Sequence, residues 1–299
     1  MLDSIEIRKQ NLISFLDLYW NDPGLAFWRA YEAELLSGIN LKNNILDLGC
    51  GDGSFTKQLL LLKEKAYQNN SNGYNLIGIE ITSSLVFSVS KNENYNNLIR
   101  GDIQNVGFKN NSFDTVFSNC VLEHIKDINK CLSEISRILR QNGELYITVI
   151  NDKFSSMLLL PVILKKLSLY NLALKIEKRR NEQLFHVNCY SLNWWKEMLK
   201  QYNLDVKDDM FYMDYRSMII WDMLFTFVRL RIGRINIAGV LSYIARKLDG
   251  NKKHYFKWAI KKIIFMILWP FYKNGKCKDG CAMLIVAKKN NDTKTIFSK

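Results

Sequence analysis

A glycine-rich turn between an apolar run and a predicted helix constrains the fold more than any other feature of the chain. In the segment Asn44-Ile-Leu-Asp-Leu-Gly-Cys-Gly-Asp-Gly-Ser, the alternate positions Gly49, Gly51 and Gly53 are glycine. Alternate glycines allow a tight turn and a close approach of the backbone to a ligand, because no Cβ atom intervenes. The helix predicted to begin at Ser54 would add free amides and the positive end of its dipole. The segment therefore predicts a strand, a ligand-binding loop and a helix.

Acidic residues end the next two predicted strands, at positions that suit a nucleotide-type cofactor. Glu80 ends the second strand, where its carboxylate can accept both hydroxyls of a ribose. Asp102 ends the third strand, where it can accept an adenine amino group while Ile103 packs against the ring. Dinucleotide-binding loops have the spacing G-x-G-x-x-G, but here the third glycine comes one residue earlier. A lone glycine turn is often only a turn, yet this turn and two acids in this order favour a cofactor site.

Residues 41–150 alternate short apolar runs with helical patterns, which indicates an α/β fold with a parallel sheet and helices on both faces. The predicted strands are 45–48, 75–81, 98–100, 113–118 and 144–150. The predicted helices are 54–67, 83–91 and 128–140. Further strands are predicted near 204–210 and at 281–287. Residues 1–40 are predicted to be helical, with a break at Asp22-Pro23-Gly24.

Residues 44–150 resemble the class I S-adenosylmethionine-dependent methyltransferases of the ubiquinone/menaquinone-methyltransferase-like (type 11) group. The first motif of that family is an apolar strand followed by Asp-x-Gly-x-Gly-x-Gly, which Asp47 to Gly53 match. Its later motifs are matched by Gly101-Asp102, Phe108 to Asp114, Val121-Leu-Glu-His124 and Arg137 to Gly143. Asn142 departs from the family, which usually has glycine there, and an asparagine is tolerable in a turn.

The resemblance implies a Rossmann-like, seven-stranded sheet whose last strand runs antiparallel. It also implies S-adenosylmethionine as the cofactor, with its methionine moiety near Asp47, Gly49 and Asn119. Its ribose would lie on Glu80 and its adenine by Asp102, and the backbone carbonyl of Asn119 would accept from the cofactor's amino group. The predicted segments are N-terminal helices (1–40), the cofactor-binding core (41–150), acceptor-side helices with the sixth strand (151–214), a basic, aromatic helical insertion (215–280) and the last strand with a tail (281–299).

Two histidines are candidates for a catalytic base. His124 follows the fourth predicted strand, on the edge of the sheet that faces the cofactor, and could take a proton from a hydroxyl acceptor. The alternative is a structural histidine that caps the turn before Asp127. His186 lies in the variable region where such enzymes bind acceptors, and a structural role is again the alternative. Glu123 could be either a salt-bridge partner or an acid in the acceptor pocket.

Missing motifs disfavour several acceptor classes. DNA amino methylation usually goes with an (Asp/Asn/Ser)-Pro-Pro-aromatic motif after the fourth strand, where this chain reads Ser118-Asn-Cys-Val. Cytosine C5 enzymes resembling known families use a Pro-Cys pair, which does not occur here. Protein-arginine enzymes carry two glutamates on this loop, whereas only Glu123 is present.

The cysteines indicate a reduced, cytoplasmic protein without a metal site. Six cysteines are scattered along the chain, and only Cys277 and Cys281 lie close together. None of the three histidines is beside that pair, so a zinc site lacks ligands. The N-terminus has neither a basic region nor an apolar run, and we therefore predict no signal peptide.

The net charge of +13 is concentrated in the C-terminal half. Residues 1–150 carry 14 Lys/Arg against 17 Asp/Glu, whereas the remaining residues carry 28 against 12. An anionic partner, such as a membrane surface, a nucleic acid or a phosphorylated substrate, is therefore expected at the C-terminal half. Residues 215–280 alone carry 14 Lys/Arg and three acids.

Two helices are predicted inside residues 215–280, at Met218–Leu230 and Tyr255–Tyr272, and Pro270 marks the end of the second. Along the second helix a charged stripe is predicted from lysines that recur every four residues, Lys253, Lys257 and Lys261. A broad apolar surface is supplied by Trp258, Ile260, Ile263, Ile264, Ile267, Leu268 and Trp269. This composition is typical of an interfacial helix on an anionic membrane, and no charge-free run approaches the ~18 residues of a spanning helix. A lid over the acceptor site and an RNA-binding surface are the alternatives.

Three hypotheses about function follow. The first is a cytoplasmic or peripherally membrane-bound enzyme that methylates a small, lipophilic or lipid-linked acceptor. The second is an RNA methyltransferase that uses the basic C-terminal surface. The third is a binding protein that keeps the nucleotide fold without catalysis. Intact Asp47, Glu80 and Asp102 argue against the third, because an inactive cofactor site has no need of all three.

Overall fold

A seven-stranded sheet forms the centre of the protein. The computed structural model describes residues 4–67, 74–83, 85, 95–232, 235–248, 250–272 and 277–290. Within these residues the main sheet consists of β1 (Asn44–Leu48), β2 (Asn75–Glu80), β3 (Asn97–Arg100), β4 (Phe113–Asn119), β5 (Leu139–Ile150), β6 (Leu204–Tyr212) and β9 (Ala282–Lys289). A separate short pair is formed by β7 (Arg231–Ile232) and β8 (Ile235–Asn236). The main sheet has the order β3-β2-β1-β4-β5-β9-β6, and β9 runs antiparallel to both neighbours. The predicted Rossmann-like sheet with an antiparallel last strand is confirmed.

The sheet reverses its direction of growth between β1 and β4. From β1 the chain adds β2 and β3 on one side, and then returns to place β4 on the other side of β1. The carboxyl ends of β1 and β4 therefore open onto a crevice, which is where open α/β sheets bind ligands. This topology places the glycine turn after β1 beside the residues that follow β4.

Helices cover both faces of the sheet. They are α1 (Ser4–Leu18), α2 (Pro23–Ser37), α3 (Ser54–Tyr67), α4 (Ile128–Ile138), α5 (Leu159–Lys166), α6 (Tyr170–Gln183), α7 (Leu192–Gln201), α8 (Tyr215–Arg229), α9 (Ile237–Lys247) and α10 (Gly250–Tyr272). Short 3₁₀ turns occupy Leu122–His124 and Ser155–Met157. Apolar side chains of α1, α2, α3, α8 and α10 form the core on one face, and those of α4 and α7 form it on the other. The helix predicted at 83–91 lies largely outside the described residues.

The boundary between α4 and β5 differs from the prediction. The helix ends at Ile138 rather than at residue 140, and β5 begins at Leu139, which pairs with Phe113 of β4. Asn142 has a φ of 60°, in the left-handed region that asparagine tolerates better than most residues. Asn142 lies within β5 rather than in a turn, near an irregularity in the pairing with β4, and the departure from the family's usual glycine is compatible with this backbone conformation.

The C-terminal helices are longer and more numerous than the sequence predicted. Both α8 and α10 begin ahead of their predicted starts, and the β7–β8 pair and α9 lie between them. Pro270 lies inside α10, in its last turn, and the helix ends at Tyr272 as predicted. The last turn persists because Tyr272 is fully buried, where its hydroxyl bonds with the Asn11 side chain (2.5 Å) and the Ala30 carbonyl (3.1 Å).

A buried carboxylate ties α2 to the sheet. Glu32 of α2 has no exposed surface. It accepts hydrogen bonds from five side chains, which are Trp28 Nε1 (2.6 Å), Arg29 Nη1 (2.6 Å), Cys120 Sγ (2.7 Å), Asn119 Nδ2 (2.9 Å) and Tyr212 Oη (3.0 Å). A buried charge is tolerated only when it is paired and its remaining lone pairs are used, and Glu32 meets both conditions.

Replacing Glu32 should therefore destabilise the whole fold. We expect Glu32→Ala to lower the free energy of unfolding by about 3–5 kcal/mol, because Arg29 and four neutral donors lose their acceptor. Urea unfolding measures this change. The control is Glu182→Ala, whose exposed carboxylate lies 3.9 Å from Lys178, and which should cost less than about 1 kcal/mol. A similarly small loss for Glu32→Ala would contradict the structural role assigned to this carboxylate.

Candidate active site

The glycine turn after β1 adopts a conformation that requires glycine. Gly49, Gly51 and Gly53 have φ values of 79°, 57° and 71°. A Cβ atom on Gly49 would lie 2.6 Å from the Val121 side chain, whereas one on Gly51 would meet nothing within 4 Å. Gly49 thus allows the residues after β4 to pack against the turn, and Gly51 leaves open space above it for a ligand.

Glu80 stands at the end of β2 beside this turn. Its carboxylate is largely buried and accepts hydrogen bonds from the backbone amides of Gly51 (3.1 Å) and Thr82 (3.0 Å). Because a carboxylate offers about four acceptor positions, two bonds leave capacity for both hydroxyls of a ribose. The structure therefore places Glu80 where the sequence predicted it.

Asp47 lies beneath the turn and is held by two hydroxyl donors. Thr56 Oγ1 lies 2.6 Å and Tyr95 Oη 2.5 Å from its carboxylate. Burial raises the pKa of Asp47 to about 6, the two hydroxyls oppose the rise, and the charge on Glu80 adds to it. Asp47 thereby connects β1 to the start of α3 and stabilises the turn from below. Its predicted contact with the methionine moiety stays a prediction.

The predicted adenine side needs one correction. Asp102 is exposed and accepts hydrogen bonds from the backbone and side chain of Gln104, at 2.9–3.2 Å. Ile103 is buried in the core against α4, so it has little free surface to offer to an adenine ring. An exposed apolar side chain near this edge is Ile81, which follows Glu80 directly and is 61% exposed. The sequence could have indicated this residue, because it is an apolar residue that follows the last buried position of the strand.

Asn119 ends β4 with its side chain already engaged. Its amide nitrogen donates to Glu32 (2.9 Å), and its amide oxygen accepts from Thr148 Oγ1 (2.7 Å). Its side chain is thus held in place by β5 and α2, and the predicted contact of its backbone carbonyl with the cofactor stays a prediction. Cys120 follows with a φ of 53°, an uncommon conformation for a residue with a side chain, and this turns the chain away from the sheet.

A cavity of about 230 Å³ opens beyond the end of β4. Its apolar walls are Leu25, Trp28, Ile150, Phe154, Leu184, Trp221 and Phe225. Its polar lining is Arg29, Cys120, Glu123, His124, His186 and Arg229. Val121, which packs on Gly49, lies between the cavity residues Cys120 and Glu123 in the chain. The cofactor turn and the cavity therefore adjoin each other.

The structure brings the two candidate histidines together at this cavity. Their ring centroids are 5.1 Å apart, and His124 Nδ1 lies 3.1 Å from the carbonyl oxygen of Phe185. His124 therefore does not cap the turn before Asp127, which itself caps α4. Burial lowers the pKa of His124, although the residue is exposed at the rim. Burial, followed by the proximity of His124, lowers the pKa of His186 to about 3, so this side chain is neutral near pH 7.

Glu123 is an acid of the cavity and forms no ion pair with any described residue. It is 1% exposed, and its Oε2 has no hydrogen-bond partner within the described part of the chain. Burial raises its pKa to about 7, and the nearby Glu32 contributes to the rise. Its carbonyl oxygen accepts from the amides of Val187 (2.8 Å) and Asn188 (3.1 Å), which joins the turn after β4 to the loop that carries His186.

Comparisons with known proteins agree with this geometry. Residues 46–147 match the family described as methyltransferase domain. A malonyl-[acyl-carrier protein] O-methyltransferase of Legionella pneumophila is 30% identical over 117 residues, which are 38% of this chain and 38% of the relative. A ubiquinone biosynthesis O-methyltransferase of Coxiella burnetii is 24% identical over 176 residues, which are 52% of this chain and 68% of the relative. A Galdieria sulphuraria structure assigned as a sarcosine dimethylglycine methyltransferase has a TM-score of 0.50 at 15% identity, covering 88% of this chain and 84% of that one.

The family match lies within the first half of the chain, at residues 46–147. The chain spans less than half the length of the Legionella relative, and the Galdieria structure shows a shared fold. The family match confirms the resemblance to class I methyltransferases of the type 11 group, whose cofactor is S-adenosylmethionine. The residues at the glycine turn fit that cofactor, because Gly51 leaves space above the turn and Glu80 keeps acceptor capacity beside it.

Removing the Glu80 carboxylate should weaken cofactor binding. We expect Glu80→Ala to reduce the affinity for S-adenosylmethionine by about 1.5–3 kcal/mol, because a charge-assisted pair of hydrogen bonds to the ribose is lost. Isothermal titration calorimetry measures the change, and a thermal melt confirms that the variant is folded. Glu197→Ala, which removes an exposed carboxylate on α7, is the control. Unchanged affinity in Glu80→Ala would remove Glu80 from the site.

The raised pKa of Glu123 predicts a pH-dependent cost to stability. Between its ordinary value of 4.5 and about 7, the unfolded chain ionises this carboxyl while the folded protein keeps it protonated. This group's contribution to stability therefore falls as the pH rises through that window. Relative to the wild type, Glu123→Gln should be more stable at pH 8 than at pH 5 by about 2–3 kcal/mol. Urea unfolding of the variant and the wild type at both pH values measures this change, and Glu197→Gln is the control. If the difference in free energy of unfolding between variant and wild type were the same at pH 5 and pH 8, the raised pKa of Glu123 would be contradicted.

Proposed function

Because residues 46–147 are a class I methyltransferase domain, we propose that this protein transfers a methyl group from S-adenosylmethionine to a small, lipophilic or lipid-linked acceptor. The acceptor would occupy the 230 Å³ cavity beyond β4. The observation that carries the proposal is the adjacency of the two compartments. Val121 packs against the glycine turn, and its neighbours in the chain, Cys120 and Glu123, line the cavity.

The protein's own contribution to such a reaction is alignment and exclusion of water. When bound, S-adenosylmethionine supplies a methyl group on a positively charged sulfur, which is a good leaving group. Aromatic walls set the shape of the cavity, with Trp28 and Phe154 in edge-to-face contact at 5.9 Å and Trp221 5.3 Å from Trp28. Rigid walls of this kind hold an acceptor in one orientation, and correct orientation can lower a barrier by several kcal/mol.

Proton removal from the acceptor would fall to the histidine pair. With Nδ1 of His124 directed at the Phe185 carbonyl, its Nε2 is left to accept a proton from an acceptor hydroxyl. The lowered pKa of His124 keeps the ring neutral at physiological pH, which is the form that a base requires. His186 lies against this ring and is neutral as well.

The charge balance of the cavity supports a lipophilic acceptor. Both arginines of its lining already have carboxylate partners, Arg29 with Glu32 at 2.6 Å and Arg229 with Asp22 at 2.7 Å. The remaining acid of the lining is Glu123, and burial raises its pKa to about 7, which disfavours its charged form. The other walls are mostly apolar, so the cavity suits an uncharged group with one polar atom. Two relatives whose names denote O-methyltransferases support an oxygen as that atom.

Transfer of a labelled methyl group tests the proposed activity. Purified protein is incubated with methyl-labelled S-adenosylmethionine and cell extract, and the extract is then separated into lipid, RNA and small-molecule fractions. We expect label in the lipid or apolar small-molecule fraction, and at least about tenfold less label with Glu80→Ala when the cofactor is kept below saturation. Label in RNA would instead favour the alternative of an RNA methyltransferase, and label in no fraction would contradict a methyl transfer activity.

Replacing His124 separates a base from a structural histidine. If His124 accepts the proton, His124→Gln should lower turnover about a hundredfold or more and leave the affinity for S-adenosylmethionine unchanged. Turnover with the acceptor identified above and calorimetry measure the two quantities. The loss of turnover in His186→Gln, compared with that in His124→Gln, shows which histidine matters more for the reaction. His254→Gln, on the exposed surface of α10, is the matched control. Near-normal turnover in His124→Gln would return this residue to a structural role.

A further inference from the structure

The face of α10 that points away from the protein carries several apolar side chains. They include Tyr255 (68% exposed), Ile263 (55%), Met266 (57%) and Ile267 (47%). Their spacing of eight, three and one residues places them on one side of a helix. Folded monomers rarely leave a continuous apolar surface of this kind open to water without a partner.

Two lysines of the predicted α10 stripe contact the end of α1. Lys261 forms an ion pair with Asp17 of α1 at 2.5 Å, and Lys257 lies 4.7 Å from the ring centroid of Trp20. Other lysines of α10, Lys252 and Lys262, are exposed together with the apolar side chains.

The preceding helix α9 also exposes apolar side chains on one side. Val240, Tyr243 and Ile244 are exposed at spacings of three and one, on one side of the helix. Lys247 is exposed on that side, with its ammonium 5.7 Å from the ring centroid of Tyr243. The two helices are consecutive and contact each other, and both also contact α8. Their outward faces together form what we call the α9–α10 face.

Cations surround this face almost without opposing charge. Residues 235–272 carry seven Lys/Arg and one acid, Asp249. The exposed cations in this range include Arg246, Lys247, Lys252 and Lys262. Apolar and aromatic side chains flanked by lysines are the composition of helices that lie in the interface of an anionic membrane. None of the described helices is long and apolar enough to cross a bilayer.

We propose that the α9–α10 face docks this protein peripherally on membranes that contain anionic lipid. The apolar side chains would enter the interface, and the lysines and Arg246 would meet the lipid headgroups. This docking goes beyond the proposed reaction and does not depend on it, because a protein inactive in methyl transfer would still bind. If the proposed reaction also holds, α8 connects the two, since it contacts both helices and contributes Trp221 and Phe225 to the cavity.

Vesicle sedimentation tests the docking. The protein is mixed at low salt with vesicles of phosphatidylcholine alone, or of phosphatidylcholine with phosphatidylglycerol. We expect stronger binding to the anionic vesicles, weakened by salt through screening. Lys252→Gln with Lys262→Gln should weaken that binding about fivefold for each lysine removed. The matched control is Lys126→Gln with Lys200→Gln, two exposed lysines elsewhere on the surface.

A second variant tests the apolar part of the face. The triple variant Ile263→Ser, Met266→Ser and Ile267→Ser should lose at least about tenfold in vesicle affinity, because the apolar area that enters the interface is removed. These side chains are exposed, so folding and S-adenosylmethionine binding should be unchanged. Leu61→Ser on α3, which is also exposed, is its control.

The outcomes separate docking from the alternatives. Absence of binding to both kinds of vesicle, or equal binding by the wild type and the triple variant, would overturn the proposal. Equal binding to neutral and anionic vesicles would overturn its electrostatic part. Binding of structured RNA with a steep salt dependence, in a protein that ignores vesicles, would assign the basic surface to RNA. Vesicle binding by Glu80→Ala as strong as that of the wild type, with methyl transfer reduced, would show that docking stands apart from the reaction.

Discussion

The buried carboxylate of Glu32 is the interaction on which the arrangement of the site depends. It holds α2 against the end of β4 through Asn119 and against β6 through Tyr212. Burying this carboxylate without its hydrogen-bond partners would cost free energy. The orientation of α2 that brings Glu32 to all of these partners is therefore the stable one. That orientation places Trp28 and Arg29 in the wall of the cavity. The shape of this cavity, the proposed acceptor site, is therefore a consequence of how the N-terminal helices are held against the sheet.

The topology of the sheet places the second compartment beside the first. Because β1 and β4 are neighbours with the same direction, the glycine turn and the residues after β4 meet at one crevice. Gly49 permits the close packing of Val121, and Gly51 leaves space for a ligand above the turn. Cofactor binding on one side and an aromatic, largely apolar cavity on the other together support methyl transfer to a lipophilic group.

Local patterns predicted the fold well but could not predict which residues meet. The glycine turn, Glu80 and the antiparallel last strand follow from short-range spacing and family motifs, and the structure places them as expected. His124 and His186 were each candidates, yet nothing in the sequence shows that their rings lie 5.1 Å apart. The sequence pattern of α2 does not show that Glu32 is buried. In α10, apolar residues occupy more than one side, so periodicity alone could not decide which side faces the protein.

The central claim is that a cofactor on the glycine turn faces the cavity beyond β4. A crystal structure with S-adenosylhomocysteine, the product left after methyl transfer, tests it most directly. The account predicts the ribose hydroxyls on Glu80 and the sulfur directed toward the cavity between Cys120 and His124. A sulfur directed away from that cavity, or a ligand bound elsewhere than on the glycine turn, would contradict it.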